Sequence, residues 1–272
     1  MEILVYIFVF FFGLTVGSFL NCVIYRLEEG KSFLKGRSFC PHCKHQLSWQ
    51  DLIPVLSFLI LKGKCRYCGK KISLQYPLVE LATGIIFLLI FNFQFSIFNQ
   101  FSIFNFQNLL VTGYWLLVTC FLIVIFVYDL KHYIIPDKII YPAIMVSGIW
   151  YFVSGIFLNL YTKYEILNTI YSAFGATAFF LAIVLISRGK WMGWGDVKLV
   201  FLMGLFLSFP KILAALFLAF LVGAIIGVGL ILGGKKTLKS EVPFGPFLVT
   251  GTFLALFWGE NIINWYLNFF NA

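Results

Sequence analysis

Long apolar runs separated by short polar segments dominate the chain. Eight of them are candidate membrane spans: about 2–25, 77–93, 109–128, 139–158, 167–187, 197–209, 211–232 and 244–268. A helix needs roughly 20 mainly apolar residues to cross a hydrocarbon core about 30 Å thick. The sixth run is shorter than that and suggests a tilted or partly re-entrant element, with Pro210 marking a sharp turn into the seventh. The pattern therefore predicts an all-α polytopic bundle. The first run has no basic region ahead of it and no small-residue cleavage site, and it reads as a retained span.

The composition agrees: 61% of the 272 residues are hydrophobic and 11% charged. A net charge of +9 raises the question of a nucleic-acid partner, which the placement of the basic residues answers. The first loop, Arg26 to Lys71, carries ten Lys and Arg, and the odd-numbered loops together hold eighteen of the twenty. Basic residues concentrate in short cytoplasmic loops, so the odd loops face the cytoplasm and both termini lie outside. Orientation and attraction to the anionic headgroups of a lipid bilayer account for the charge, and no nucleic-acid binding is needed. The charge-free stretch Asn92 to Asn108 falls outside and reads as a low-complexity aromatic loop at the interface.

Within the first cytoplasmic loop stand Cys40-Pro41-His42-Cys43 and Cys65-Arg66-Tyr67-Cys68, twenty-one residues apart. Two such knuckles bring four thiolates to a tetrahedral centre, for which zinc is the expected metal in a reducing compartment. Gly69 and the basic neighbours fit a zinc-ribbon-like loop. With all four positions filled by protein, the metal is structural. His42 and His45 read as bystanders, and Cys22 and Cys120 as small buried residues inside spans.

Eleven carboxylates are few enough to weigh singly. Asp129 ends the third span, Asp196 opens the sixth in Gly193-Trp194-Gly195-Asp196-Val197-Lys198, and the topology puts both near the cytoplasmic face. Aspartyl proteolysis needs two carboxylates that share a proton, one activating water and the other polarising the peptide carbonyl. Gly193 and Gly195 remove side chains beside Asp196, which lets backbone approach a peptide and permits dihedrals closed to other residues. The plainer reading is that such acids face water or pair with Lys131 and Lys198. Asp137, following Pro136, reads as an acid at a helix N-terminus. Glu80 is either functional or snorkels to the interface. No Gly-rich phosphate loop, serine-nucleophile motif or HExxH sequence is present.

Several segments together resemble a known family. They are Gly17-Ser18-Phe19-Leu20-Asn21 with Tyr25-Arg26, the two cysteine pairs, Asp129 with Ile135-Pro136-Asp137, the segment from Gly193 to Lys198, and Pro243-Phe244-Gly245-Pro246-Phe247. The chain resembles the type IV prepilin peptidases, bifunctional leader peptidases and N-methyltransferases of the GxGD class of intramembrane aspartyl proteases. The resemblance implies that Asp129 and Asp196 are catalytic, that Gly193, Gly195 and Lys198 support them, and that Cys40, Cys43, Cys65 and Cys68 hold metal. It implies prepilin or pseudopilin substrates, cut at the cytoplasmic face of a bacterial inner membrane and N-methylated from S-adenosylmethionine, in the service of pilus or type II secretion machinery. Shorter family members lack the cysteine loop and the methylating activity, so the quartet favours both activities here. No Rossmann-type glycine fingerprint for the methyl donor occurs, and its binding residues are unassigned.

The expected organisation is a first span at 1–25, a zinc-binding loop at 26–76 and a membrane peptidase domain at 77–272. Competing readings are a transporter or channel with a regulatory zinc loop, a metal-binding assembly scaffold, and a leader peptidase without methylation. Few acids lie on the outer side, which counts against an ion path across the bilayer.

Overall fold

The computed structural model describes residues 2–32, 36–97, 105–158, 160–234 and 242–271. These form helices α1 (Glu2–Glu28), α2 (Leu56–Ile60), α3 (Gln75–Ile97), α4 (Phe106–His132), α5 (Asp137–Ile156), α6 (Lys163–Ser187), α7 (Trp194–Leu207), α8 (Lys211–Leu232) and α9 (Gly245–Asn271). No strand occurs among the described residues, only the isolated bridges Phe39 to Gln46 and Lys64 to Lys71. Among the described residues seven helices are long and apolar enough to cross a membrane, so this is a multi-pass membrane protein. The sixth expected span is α7, whose 14 residues reach about 21 Å at ~1.5 Å per residue, short of the hydrocarbon thickness.

Most helices outrun the apolar runs that predicted them, because backbone hydrogen bonding continues past the first polar side chain. Thus α4 extends beyond Asp129 to His132, where Tyr133 takes a left-handed φ of 58° and ends it. The Asn92–Asn108 stretch is helical at both ends, to Ile97 and from Phe106, which corrects the expectation of a loop there; residues 98–104 lie outside the described residues. Lys35 and the seventh-loop residues Lys235, Lys236 and Lys239 lie outside them too.

The chain divides into two compact units, Met1–Val124 and Ile125–Ala272. In the first, α1 packs along α3 through small residues. A Cβ on Gly13 would fall 2.7 Å from the Gly84 Cα, and one on Gly17 2.7 Å from the Glu80 Cα. Gly13 and Gly17 are four residues apart, so they place two gaps on one face of α1, and helices meeting at such gaps gain van der Waals contact where lipid offers no hydrophobic drive. Where the chain leaves α1, the Arg26 side chain is buried and donates to the Gly36 carbonyl at 2.7 Å. That residue therefore ties down the returning loop and is not a headgroup contact.

In the second unit α7 is the central helix, in contact with α5, α6, α8 and α9 and buried from Leu202 to Leu207. Gly204 meets the backbone at Ala173 of α6, and Gly251 of α9 meets that of α8 at Ala215 and Ala219. Its first turn carries Asp196, half-buried although Trp194 beside it is exposed.

Replacing Gly17 by Val should force α1 from α3 at a cost on the order of 1–3 kcal/mol. In detergent its unfolding midpoint should fall by several degrees, whereas Gly113→Val, where a Cβ meets nothing within 4 Å, should leave it in place.

Candidate active site and metal centre

Asp129 projects from the last turns of α4 and is 4% exposed. In an apolar bundle such a carboxylate needs a donor, and the backbone N–H of Gly245 supplies it. The approach is possible because residue 245 has no side chain: a Cβ there would lie 2.5 Å from Asp129 Oδ2 and 3.1 Å from its Cγ. The start of α9 is fixed by aromatic packing, with the Phe244 ring 5.1 Å from Phe220, 6.4 Å from the fully buried Phe180 and 6.3 Å from Phe247.

Asp196 lies in the first turn of α7 and is half-buried. Its Oδ2 accepts the Gly193 N–H at 3.3 Å, which also satisfies one of the free amides at the helix start. Its charge interacts with that of Asp129, so the structure brings the two acids into one electrostatic neighbourhood.

Of the two purposes expected of these glycines, unusual dihedrals are not used. Gly193 has φ −80°, an extended conformation open to any residue, and Gly195 is an ordinary helical position. What matters is space. A Cβ on Gly195 would come 3.0 Å from Ile135 Cβ, so this glycine lets α7 close against the segment that follows Asp129. A Cβ on Gly193 would touch Asp196 Oδ2 at 3.7 Å, so glycine leaves that carboxylate edge open.

Lys198 turns away from both acids. Its Nζ bonds Asp137 Oδ1 at 2.6 Å and lies 4.8 Å from the Tyr141 ring centroid. Asp137 is exposed in the first turn of α5, the expected helix-start position. An exposed pair of this kind contributes at most about 1 kcal/mol, and it ties α7 to α5.

The cysteine quartet assembles in the first unit. The Sγ atoms of Cys40, Cys43, Cys65 and Cys68 lie within 4.8 Å of one another, and Cys40 to Cys68 is 3.9 Å. Four sulfurs at the Zn–S distance of about 2.3 Å stand roughly 3.8 Å apart, so the donor set and spacing suit a tetrahedral zinc site. The two knuckles repeat one backbone pattern. Cys40 N–H donates to the His45 carbonyl and Cys65 N–H to that of Lys70; Lys44 N–H returns to Cys40 and Gly69 N–H to Cys65. Lys44 (φ 59°) and Gly69 (φ 67°) occupy equivalent left-handed positions. Neither His42 nor His45 joins the ligand group, and the His45 ring lies against Tyr67 at 3.8 Å. Cys22 and Cys120, expected to be buried, are half-buried.

Sequence reasoning missed three supporting residues. Gly245 stands out in the sequence only as part of the segment Pro243 to Phe247. Asp51 ties the turn at Ser48 to the second knuckle, accepting from Ser48 N and Oγ, Arg66 Nε and Tyr67 OH. Burial opposes its ionisation, but those hydrogen bonds outweigh burial and hold Asp51 below the ordinary carboxylate range. Val55, in the connection after the 3-10 turn Trp49–Leu52, donates its N–H to Glu80 Oε2 at 2.8 Å. Glu80 is buried and held by that amide, so it does not snorkel. A hydrogen-bonded acid was foreseeable from its place in an apolar run; its loop partner was not.

Two family profiles match in succession, one described as the bacterial peptidase A24 N-terminal domain over residues 11–93 and one as the type IV leader peptidase family over residues 116–228. A protein from Aeromonas salmonicida named prepilin leader peptidase/N-methyltransferase is 32% identical over 297 residues, covering 96% of this chain and 93% of its own. One of that name from Bacillus subtilis is 31% identical over 95% of this chain and 96% of its own. Another from Myxococcus xanthus is 34% identical over 86% and 66%. No solved structure matches the chain. With such identity running through nearly the full length of both partners, this protein belongs to the type IV leader peptidase family.

Proposed function

We propose that this chain is a membrane aspartyl endopeptidase that removes the basic leader from prepilins or pseudopilins and N-methylates the new terminus. The observation that carries the proteolytic half is the pairing of Asp129 and Asp196, two acids from different helices that interact and are each held by a glycine amide. In the reaction one carboxylate is ionised and takes a proton from the attacking water. The other is protonated and donates to the scissile carbonyl as it becomes tetrahedral. The proton then passes to the leaving amine as the bond breaks. Gly193 leaves one edge of Asp196 open for the peptide, and Lys198 acts at a distance by fixing α7 to α5.

The distribution of basic residues supports a cytoplasmic face for Asp129, Asp196 and the metal loop, in a bacterial inner membrane. A leader rich in positive charge stays on that side, while the apolar helix of the substrate approaches through the bilayer. The loop at 26–76 acts as a zinc-holding module and 77–272 as the peptidase portion. Cys40, Cys43, Cys65 and Cys68 would hold Zn2+, which with its four positions filled supplies folding energy to the loop and no open site for chemistry. Methylation draws on S-adenosylmethionine by the family relationship, and pilus or type II secretion machinery would receive the product.

Asp129→Asn and Asp196→Asn should each lower leader cleavage on the order of a hundredfold or more with the fold intact. Mass spectrometry of a prepilin incubated with purified enzyme reads the leader loss, and an unchanged rate in either variant would remove that residue from the dyad. Gly245→Ala should push the Asp129 carboxylate aside and reduce kcat roughly 10- to 100-fold with a smaller change in KM. Steady-state kinetics separates the two parameters. Joint Cys65→Ser and Cys68→Ser substitution should abolish bound zinc by elemental analysis and the methyl increment in the same mass spectra, with leader loss retained.

A further inference from the structure

The loop between α1 and α3 carries an apolar surface that the peptidase reading does not use. Leu56, Leu59 and Ile60 of α2 are 51%, 63% and 73% exposed, and the preceding 3-10 turn exposes Trp49 at 73%. Positions 56, 59 and 60 have the i, i+3, i+4 spacing that puts them on one face of a helix. Phe58 turns the other way and packs over Gly63. In a water-facing loop the apolar face of a helix is the one buried, so this arrangement is inverted.

The depth of the segment is fixed by a hydrogen bond. Val55, immediately before α2, donates its N–H to Glu80, the sixth residue of the span that starts at Gln75. At ~1.5 Å per residue, Glu80 lies roughly 8 Å along α3, a distance comparable to the thickness of one headgroup layer. The connection is held there against backbone preference. Val55 has φ 61° and ψ −49°, and Leu56 N–H bonds the Pro54 carbonyl at 2.6 Å, a γ-turn seldom adopted by a β-branched residue. The buried Glu80 carboxylate over-determines that turn. Lys62 and Lys64 follow α2, Lys70 and Lys71 follow the second knuckle, and all four are exposed. Lysines beside an anionic leaflet are attracted to it.

We propose that the segment Trp49–Ile60 is an interfacial membrane anchor, its Trp49, Leu56, Leu59 and Ile60 side chains seated at the boundary of headgroups and acyl chains, with Glu80 as the latch that sets its depth. The anchor lays the metal module on the anionic lipid surface with its lysines in the headgroup layer. Its occupant is lipid, because the segment is pinned beside a spanning helix and bordered by cations. The inference does not depend on the roles of Asp129 and Asp196.

The test uses the full-length protein in vesicles of phosphatidylethanolamine and phosphatidylglycerol, with p-benzoylphenylalanine introduced in place of Leu59, Ile60 or, as a control on the first knuckle, Lys44. After irradiation, lipid adducts at 59 and 60 should exceed those at 44 several-fold by mass spectrometry. Equal yields at 44, or adducts at 59 and 60 only with the polypeptide or an added prepilin peptide, would overturn the proposal. A second reading needs no photoprobe: in brominated-lipid vesicles, the emission lost in Trp49→Phe relative to the parent protein should be a strongly quenched component. An unquenched difference spectrum would refute the anchor.

Discussion

A carboxylate enclosed by apolar helices must receive its hydrogen bonds from the protein, and in this chain they come largely from the backbone. Asp129 takes the amide of Gly245, Asp196 that of Gly193, and Glu80 that of Val55. An unsatisfied polar group in a bilayer costs several kcal/mol, so each acid constrains the segment that supplies its partner. The donor is glycine at both proposed catalytic acids, and at Gly245 the missing Cβ is what lets the backbone come so close. At Glu80 the donor is a valine in a strained turn, and the acid holds a loop instead of a reaction centre.

The same need for close approach shapes the helix packing. Gly13 and Gly17 bring α1 onto α3, Gly204 brings α7 onto α6, and Gly195 lets the first turn of α7 close on Ile135. Asp196 stands in the first turn of the 14-residue α7, at a helix N-terminus.

Hydropathy alone was enough to place every long helix, since lipid selects for apolar length and little else. The cysteine quartet was legible for a similar reason: ligand spacing reports directly on tetrahedral geometry. The two aspartates could be ranked because so few acids lie near the spans. What the sequence withheld were partners distant along the chain. Nothing in Gly245 announces a contact with Asp129, more than a hundred residues earlier, and Val55 gives no sign that its amide meets Glu80. For the glycines beside Asp196 the sequence shows that a side chain is missing without showing what it would have met, Ile135 in the case of Gly195. Nor does the sequence show that Lys198 pairs with Asp137.

The central claim is that Asp129 and Asp196 act on one peptide bond. Photoaffinity labelling with a peptide mimic bearing a hydroxyl in place of the scissile carbonyl measures this most directly, since such a group binds between paired carboxylates. The account predicts adducts on the last turns of α4 and the first turn of α7, both lost when either aspartate is changed to Asn. Labelling that persists in both Asn variants, or that maps to the metal loop, would contradict it.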